Sequence, residues 1–273
     1  SLLFFFMKLA FTRFGKLSAN TAILFVHGHT SSKETWNIIH DRFLEFDCLS
    51  IDLRGHGNSP LSEDDDYSPE ACVSDIHELV NDEIFSDKGE KKKVFIIGHS
   101  MGGRIVVPYA VTHSEYVSGV IIEDMDMIQR SYPIPEKSED EIKELKSFSR
   151  QFSNLEDCEK ELLHFGYPKD YIDRWKTTDR IQKNDNGYWC AIHPWVSRNC
   201  LIQILTKDST DTFTKLSNNT IIPTLLLIAE HGSATSTNGI EEMKNIMPRM
   251  QVEFIKESGH SIHRTNTDEF PEL

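Results

Sequence analysis

The sequence is poor in the features that mark the extreme protein classes. Cysteine is scarce: Cys48, Cys72, Cys158, Cys190 and Cys200 are five in number and form no CxxC pair. An odd count without paired spacing argues against a disulfide framework and a zinc ribbon, and fits a reducing compartment, the cytoplasm. Basic charge is also short, 29 Lys and Arg against 43 Asp and Glu, for a formal net charge of −14. That imbalance repels phosphate backbones and anionic lipid, so neither nucleic acid nor a membrane is expected as a partner. With 14 Gly and 10 Pro among 273 residues, collagenous and disordered readings fail. No apolar run approaches the roughly 20 residues of a membrane-spanning helix. The opening SLLFFFM is apolar but has neither a basic flank nor a small-residue cleavage site, which makes a signal peptide a poor reading. Met7 is a candidate start, and whether residues 1–6 are native stays open.

What is present is an alternation of apolar runs with helix-like segments, the pattern of βαβ units in an α/β fold. Strands are expected at Leu9 to Phe14, Ala22 to Val26, Cys48 to Asp52, Val94 to Gly98, Val117 to Ile122, Ile222 to Ala229 and Gln251 to Ile255. The inner ones are continuous in Val, Ile, Leu and Phe, as in strands covered on both faces. Helices are expected at Lys33 to Phe43, Pro69 to Phe85, Met101 to His113 and near Gly239 to Met247. Residues 126–210 differ: mixed-charge and aromatic-rich, with little strand propensity. They read as a mostly helical cap inserted into a core of residues 1–125 and 211–273, lying over the carboxyl edge of the sheet where open α/β sheets bind ligands. The runs DDD at 64–66 and KKK at 91–93 read as solvated loop charges.

Chemistry concentrates in four loops, each following an expected strand. GHSMGG, Gly98 to Gly103, places Ser100 at a strand-to-helix turn with small residues on both sides, where a helix N-terminus and the Met101 N–H can stabilise an oxyanion. The segment is a near miss for a P-loop, but Arg104 and Ile105 stand where Lys and Ser/Thr belong. HGHT, His27 to Thr30, lets the backbone turn at Gly28 so that the His29 N–H faces the serine as a second donor. The rival metal reading of His27 and His29 lacks further ligands, since Thr30, Ser31 and Ser32 follow. In DLRGHGNS, Asp52, Arg54 and His56 read as loop braces. ESGHSIHR offers His260, in the loop proper, as general base, with His263 expected in the next helical turn.

Together these motifs resemble the α/β-hydrolase superfamily along nearly the whole chain. The resemblance implies a mostly parallel eight-stranded sheet, a cap after the sixth strand, no cofactor, no metal, and a Ser-His-acid triad attacking a carbonyl. The chain ends at Leu273, soon after His260, so the family's last helix looks incomplete, and whether the C-terminus is truncated stays open. GHSMGGR looks like small-molecule esterases and thioesterases, and like the SHCHC synthases, where an Arg at the Arg104 position contacts an acidic substrate. An ester or thioester hydrolase is therefore expected, with a C–C lyase on the same triad or a non-enzymatic small-ligand receptor as alternatives. Arg54 and Arg104 could make the site locally positive, and Trp175, Tyr188, Trp189 and Trp195 are candidates to contact substrate. Oligomeric state is not legible.

The acid departs from the commonest pattern, in which an Asp follows the seventh strand. Here that loop reads IAEHGSATS, with only Glu230 nearby. The preceding core strand ends GVIIEDMDM, and because residues alternate in direction along a strand, Glu123 and Asp124 cannot both aim at the same side. Asp124, where the loop begins, is the first choice; Glu230 is the alternative, and Asp126 reads as a helix cap.

Overall fold

The computed structural model describes residues 7–85 and 93–270. The apolar opening, Lys91, Lys92 and the last three residues lie outside the described residues. Continuous apolar runs become the strands of one sheet: β1 (Phe11–Gly15), β2 (Thr21–Val26), β3 (Asp47–Ile51), β4 (Lys93–His99) and β5 (Val117–Glu123). After the insertion, β6 (Gln151–Phe152), β7 (Ile181–Asn184) and β8 (Gly187–Cys190) form a small sheet of their own, and β9 (Thr224–His231) and β10 (Gln251–Gly259) complete the main one. The main sheet has the order β1-β3-β2-β4-β5-β9-β10. Only the β1–β3 pairing is antiparallel. Seven strands are thus present among the described residues where the resemblance implies eight, and the insertion follows the fifth of them.

Both faces of this sheet are covered, as the inner strands require. Ala22, Leu24 and Val26 of β2 join the larger core cluster and Ile23 and Phe25 the smaller one on the opposite face. Nine α-helices are described: α1 (Pro69–Val80), α2 (Gly103–Thr112), α3 (Glu139–Lys146), α4 (Leu155–His164), α5 (Lys169–Lys176), α6 (Pro194–Cys200), α7 (Thr210–Asn219), α8 (Thr237–Ile246) and the short α9 (Ile262–Thr265). Local sequence explains their starts. Ser68 caps α1 by accepting from the Ala71 N–H, with Pro at the first helical position, and Ser138 and Glu141 form a capping box on α3. Lys33–Phe43, expected as a helix, takes the tighter 3-10 form.

The insertion carries its own small core of Phe148, Cys158, Leu162, Ile172, Trp175, Ile181, Cys190 and Ile192. Its later part, Val196, Cys200, Ile204 and Leu205, packs instead into the main core. The three short strands were not expected in a helical cap. The signal lies in NDNG, Asn184 to Gly187, where Asn184 pairs with Gly187 across a two-residue turn and Gly187 takes φ 117°. Asp65 is likewise more than a solvated charge: it accepts the Trp195 indole N–H at 2.6 Å and pairs with Lys146 at 2.5 Å, tying the insertion to the core.

Candidate active site

At the end of β4 the chain enters α2 through a turn with no room for side chains on its flanks. A Cβ at Gly98 would stand 2.5 Å from the Gly102 carbonyl oxygen, and one at Gly102 would stand 2.4 Å from that of Val26. Ser100, between them, is driven into the left-handed region at φ 52°. For a non-glycine residue that costs about 1–3 kcal/mol, which the surrounding packing must offset. The consequence is a serine held at a helix N-terminus, only 7% exposed, with its hydroxyl 3.0 Å from His260 Nε2.

His260 lies in the loop after β10, and its Nδ1 is 2.7 Å from Asp124 Oδ2. Asp124 follows β5, also at positive φ (52°), and is fully buried. Burial alone would raise its pKa, but hydrogen bonds from His260, the Ser233 hydroxyl and the Ala234 and Ala229 N–H groups outweigh that and hold the carboxyl below its ordinary value. An ionised Asp124 requires the proton on His260 Nδ1, which leaves Nε2 as the acceptor facing Ser100. Among the carboxylates weighed for this place, the structure brings only Asp124 to His260. Glu230 accepts the Glu257 N–H at 2.7 Å, and Asp126 accepts from Ser236, the N-cap of α8, and pairs with Arg130. Glu123 points the other way, onto the buried His263 of α9 at 2.8 Å, and His263 Nε2 meets the Thr35 hydroxyl at 2.9 Å. Burial pushes the Glu123 carboxyl up and the His263 imidazole down.

The loop after β2 approaches Ser100 closely: the Cβ position of Gly28 is 3.0 Å from Ser100 Cβ. The orientation of the next peptide follows from His27. Its Nε2 receives the Leu53 N–H at 3.1 Å, so the proton sits on Nδ1, which donates to the Gly28 carbonyl at 2.8 Å. Burial depresses the His27 pKa and keeps it in this neutral form. With the Gly28 carbonyl turned to His27, the His29 N–H in the same peptide points the opposite way, and it has no partner among the described hydrogen bonds. The Met101 N–H lies in the first helical turn, where no preceding carbonyl is available to pair it. His99 braces the His260 loop: its Nε2 donates to the His260 carbonyl at 3.0 Å. Nothing in the sequence signalled His27 or His99 in these roles, because both depend on contacts between distant loops.

The cap assignments fare differently. Arg104 does not face the serine. Its guanidinium, 1% exposed, is spent on the backbone carbonyls of Asp126, Ile128, Ile204, Leu205 and Lys207, where it staples α2 to the segments flanking the insertion. Arg54 is likewise neutralised by a bidentate pair with Asp75 at 2.7 and 2.8 Å. Trp175 is buried in the insertion's own core against Tyr167, with Tyr188 packed at the edge of that core. Trp189 lies beside the Arg150 guanidinium, and Trp195 lies under Lys146 while donating to Asp65. Among the described contacts none of the four aromatics touches Ser100 or His260. Asp52, Arg54 and His56 brace their loop as read, Asp52 accepting the backbone N–H groups of Lys33 and Asn58. No group of His, Cys, Asp and Glu fit to hold a metal is found among the described residues, and no helix there is long and apolar enough to cross a membrane.

The family model described as "Alpha/beta hydrolase family" matches residues 23–273. A provisionally named 2-succinyl-6-hydroxy-2,4-cyclohexadiene-1-carboxylate synthase of Bacillus subtilis (strain 168) is 34% identical over 108 residues, covering 39% of this chain and 37% of that protein. Lipase 3 of Moraxella sp. (strain TA144) is 25% identical over 238 residues, 87% of this chain and 71% of the lipase. Among solved structures, a marine microorganism esterase superposes with a TM-score of 0.70 at 24% identity, covering 96% of this chain and 95% of its own. The match thus spans little more than a third of the Bacillus protein and under three-quarters of the lipase.

Proposed function

The chain belongs to the alpha/beta hydrolase family and is an enzyme of that class, and from that premise we propose that it cleaves a small carboxylic ester or thioester through an acyl-enzyme intermediate. One observation carries the reading: the continuous chain of hydrogen bonds from Ser100 through His260 to an ionised, fully buried Asp124. In the proposed reaction His260 Nε2 takes the Ser100 proton as Oγ adds to the substrate carbonyl. The developing oxyanion is held by the N–H groups of His29 and Met101, and Asp124 stabilises the imidazolium. His260 then gives its proton to the departing alcohol or thiol, and water, activated by the same histidine, releases the acid. Neither cofactor nor metal enters any step. The five buried, unpaired thiols support a cytoplasmic setting.

A second reading, a C–C lyase on the same triad in place of a hydrolase, takes its support from the match of 39% of this chain to a Bacillus protein named as a synthase. Against it stands Arg104, whose donors are taken by backbone carbonyls. A series of p-nitrophenyl esters from acetate to decanoate separates the two. Turnover that peaks at one chain length and vanishes in Ser100→Ala supports the hydrolase, while no turnover at any length refutes it.

A further inference from the structure

We propose that Arg180 is a positioning residue that holds the oxyanion hole in shape from the insertion, so that hole and cap act as one unit. The inference rests on the serine-hydrolase reading above. Arg180 immediately precedes β7, yet its Nε donates to the carbonyl of Thr30, 150 positions away, at 2.6 Å, while Thr178 Oγ1 accepts its Nη1 at 2.8 Å. Thr30 follows His29 and sits at φ 52°, a strained conformation for a β-branched residue that persists only where neighbours over-determine it. Its hydroxyl donates back to the His29 carbonyl at 2.7 Å. From the other side, the His29 ring donates through Nε2 to the Ser197 carbonyl of α6 at 3.0 Å. The peptide bearing the His29 N–H is therefore fixed upstream by His27 of the core and downstream by two residues of the insertion.

Arg180 is half-buried and set near two other arginines, which argues for a specific task. Burial, then the charges of Arg264 and Arg174, push its pKa down to about 10, and among the described residues it forms no ion pair. Its rigid fork aims one N–H at a carbonyl, a direction that a lysine ammonium on a flexible stem does not reproduce. Arg180 thus couples the Thr30 backbone to the part of the insertion that carries its own core, while Ser197 ties the same loop to α6, which is packed on the main core.

The test uses the full chain with Arg180→Met and Arg180→Lys. Three quantities are read: kcat and KM on the best p-nitrophenyl ester, the inhibition constant of a trifluoromethyl ketone with the same chain, and the melting temperature. The ketone adds to the serine to form a tetrahedral oxyanion and so reports the hole directly. Arg180→Met should lower kcat by about 10- to 100-fold, short of the 10²–10³ lost when a donor is removed outright. KM should change less than about threefold, and ketone affinity should fall by the same factor as kcat/KM. Arg180→Lys should recover only part of the loss. Unchanged kcat in Arg180→Met, or a lower kcat with unchanged ketone affinity, overturns the proposal in an active enzyme. A wild-type protein that neither turns over esters nor binds the ketone overturns the hydrolase reading itself.

Discussion

Replacing Asp124 by Asn changes one atom and reverses the hydrogen bonding of the site. Four donors converge on its two oxygens: the Ala229 N–H at 3.1 Å and the Ser233 hydroxyl at 2.5 Å on Oδ1, the Ala234 N–H at 2.8 Å and His260 Nδ1 at 2.7 Å on Oδ2. An asparagine offers one acceptor oxygen. Whichever way its amide is turned, the NH₂ group faces a backbone N–H, leaving a buried donor unsatisfied at about 1–3 kcal/mol. With NH₂ toward His260, the imidazole must accept on Nδ1 and carry its proton on Nε2, the wrong tautomer to deprotonate Ser100. The expected loss in kcat is about 10⁴, or about 5.4 kcal/mol of transition-state stabilisation. Steady-state hydrolysis of a p-nitrophenyl ester, alongside a melting curve, reads both effects. Glu230→Gln, which alters the contact with the Glu257 N–H and the exposed pairing with His231, is the matched control and should stay near wild type. An Asp124→Asn protein within tenfold of wild-type turnover refutes the assignment.

Arg104→Met should destabilise the fold by at least about 3 kcal/mol in urea unfolding, because it strips a donor from five backbone carbonyls, those of Asp126, Ile204 and Leu205 among them buried. A raised KM with unchanged stability would instead return Arg104 to the substrate site. Stability should also fall on mild acidification. His27, His56, His99 and His263 are buried and their pKa values are depressed by that burial, so the folded form stays neutral while the unfolded chain takes up protons below about pH 6.5. With the unfolded state binding more protons, stability drops as pH falls below that value, by up to about 1.4 kcal/mol per pH unit for each histidine. Melting temperatures that stay flat from pH 7 to 5 would show that these rings are not held neutral.

The main sheet was legible because its strands are continuous apolar runs whose pattern depends little on their neighbours. The expected segments differ from the observed ones mainly at their ends, as with Cys48 to Asp52 against Asp47–Ile51. The elbow was legible for a steric reason: Gly98 and Gly102 leave the intervening serine one kind of turn. Asp124 was reachable from strand alternation, which sends Glu123 to His263 and Asp124 to His260. What local pattern does not encode is where a long polar side chain ends. Arg104 sits next to the elbow in sequence, yet its guanidinium serves carbonyls about 100 residues away, whereas Arg180, unremarkable in sequence, reaches the Thr30 carbonyl in the loop after β2. The aromatic residues of the insertion were ambiguous for the same reason, since packing and substrate contact leave identical marks on a sequence.

The central claim, that Ser100 is an activated nucleophile, is tested most directly by fluorophosphonate labelling of the wild-type protein read by intact mass and peptide mapping. The account predicts a single adduct on the peptide carrying Ser100, abolished in Ser100→Ala and strongly slowed in Asp124→Asn. Absence of labelling in a folded wild-type protein, or an adduct that persists in Ser100→Ala, would contradict it.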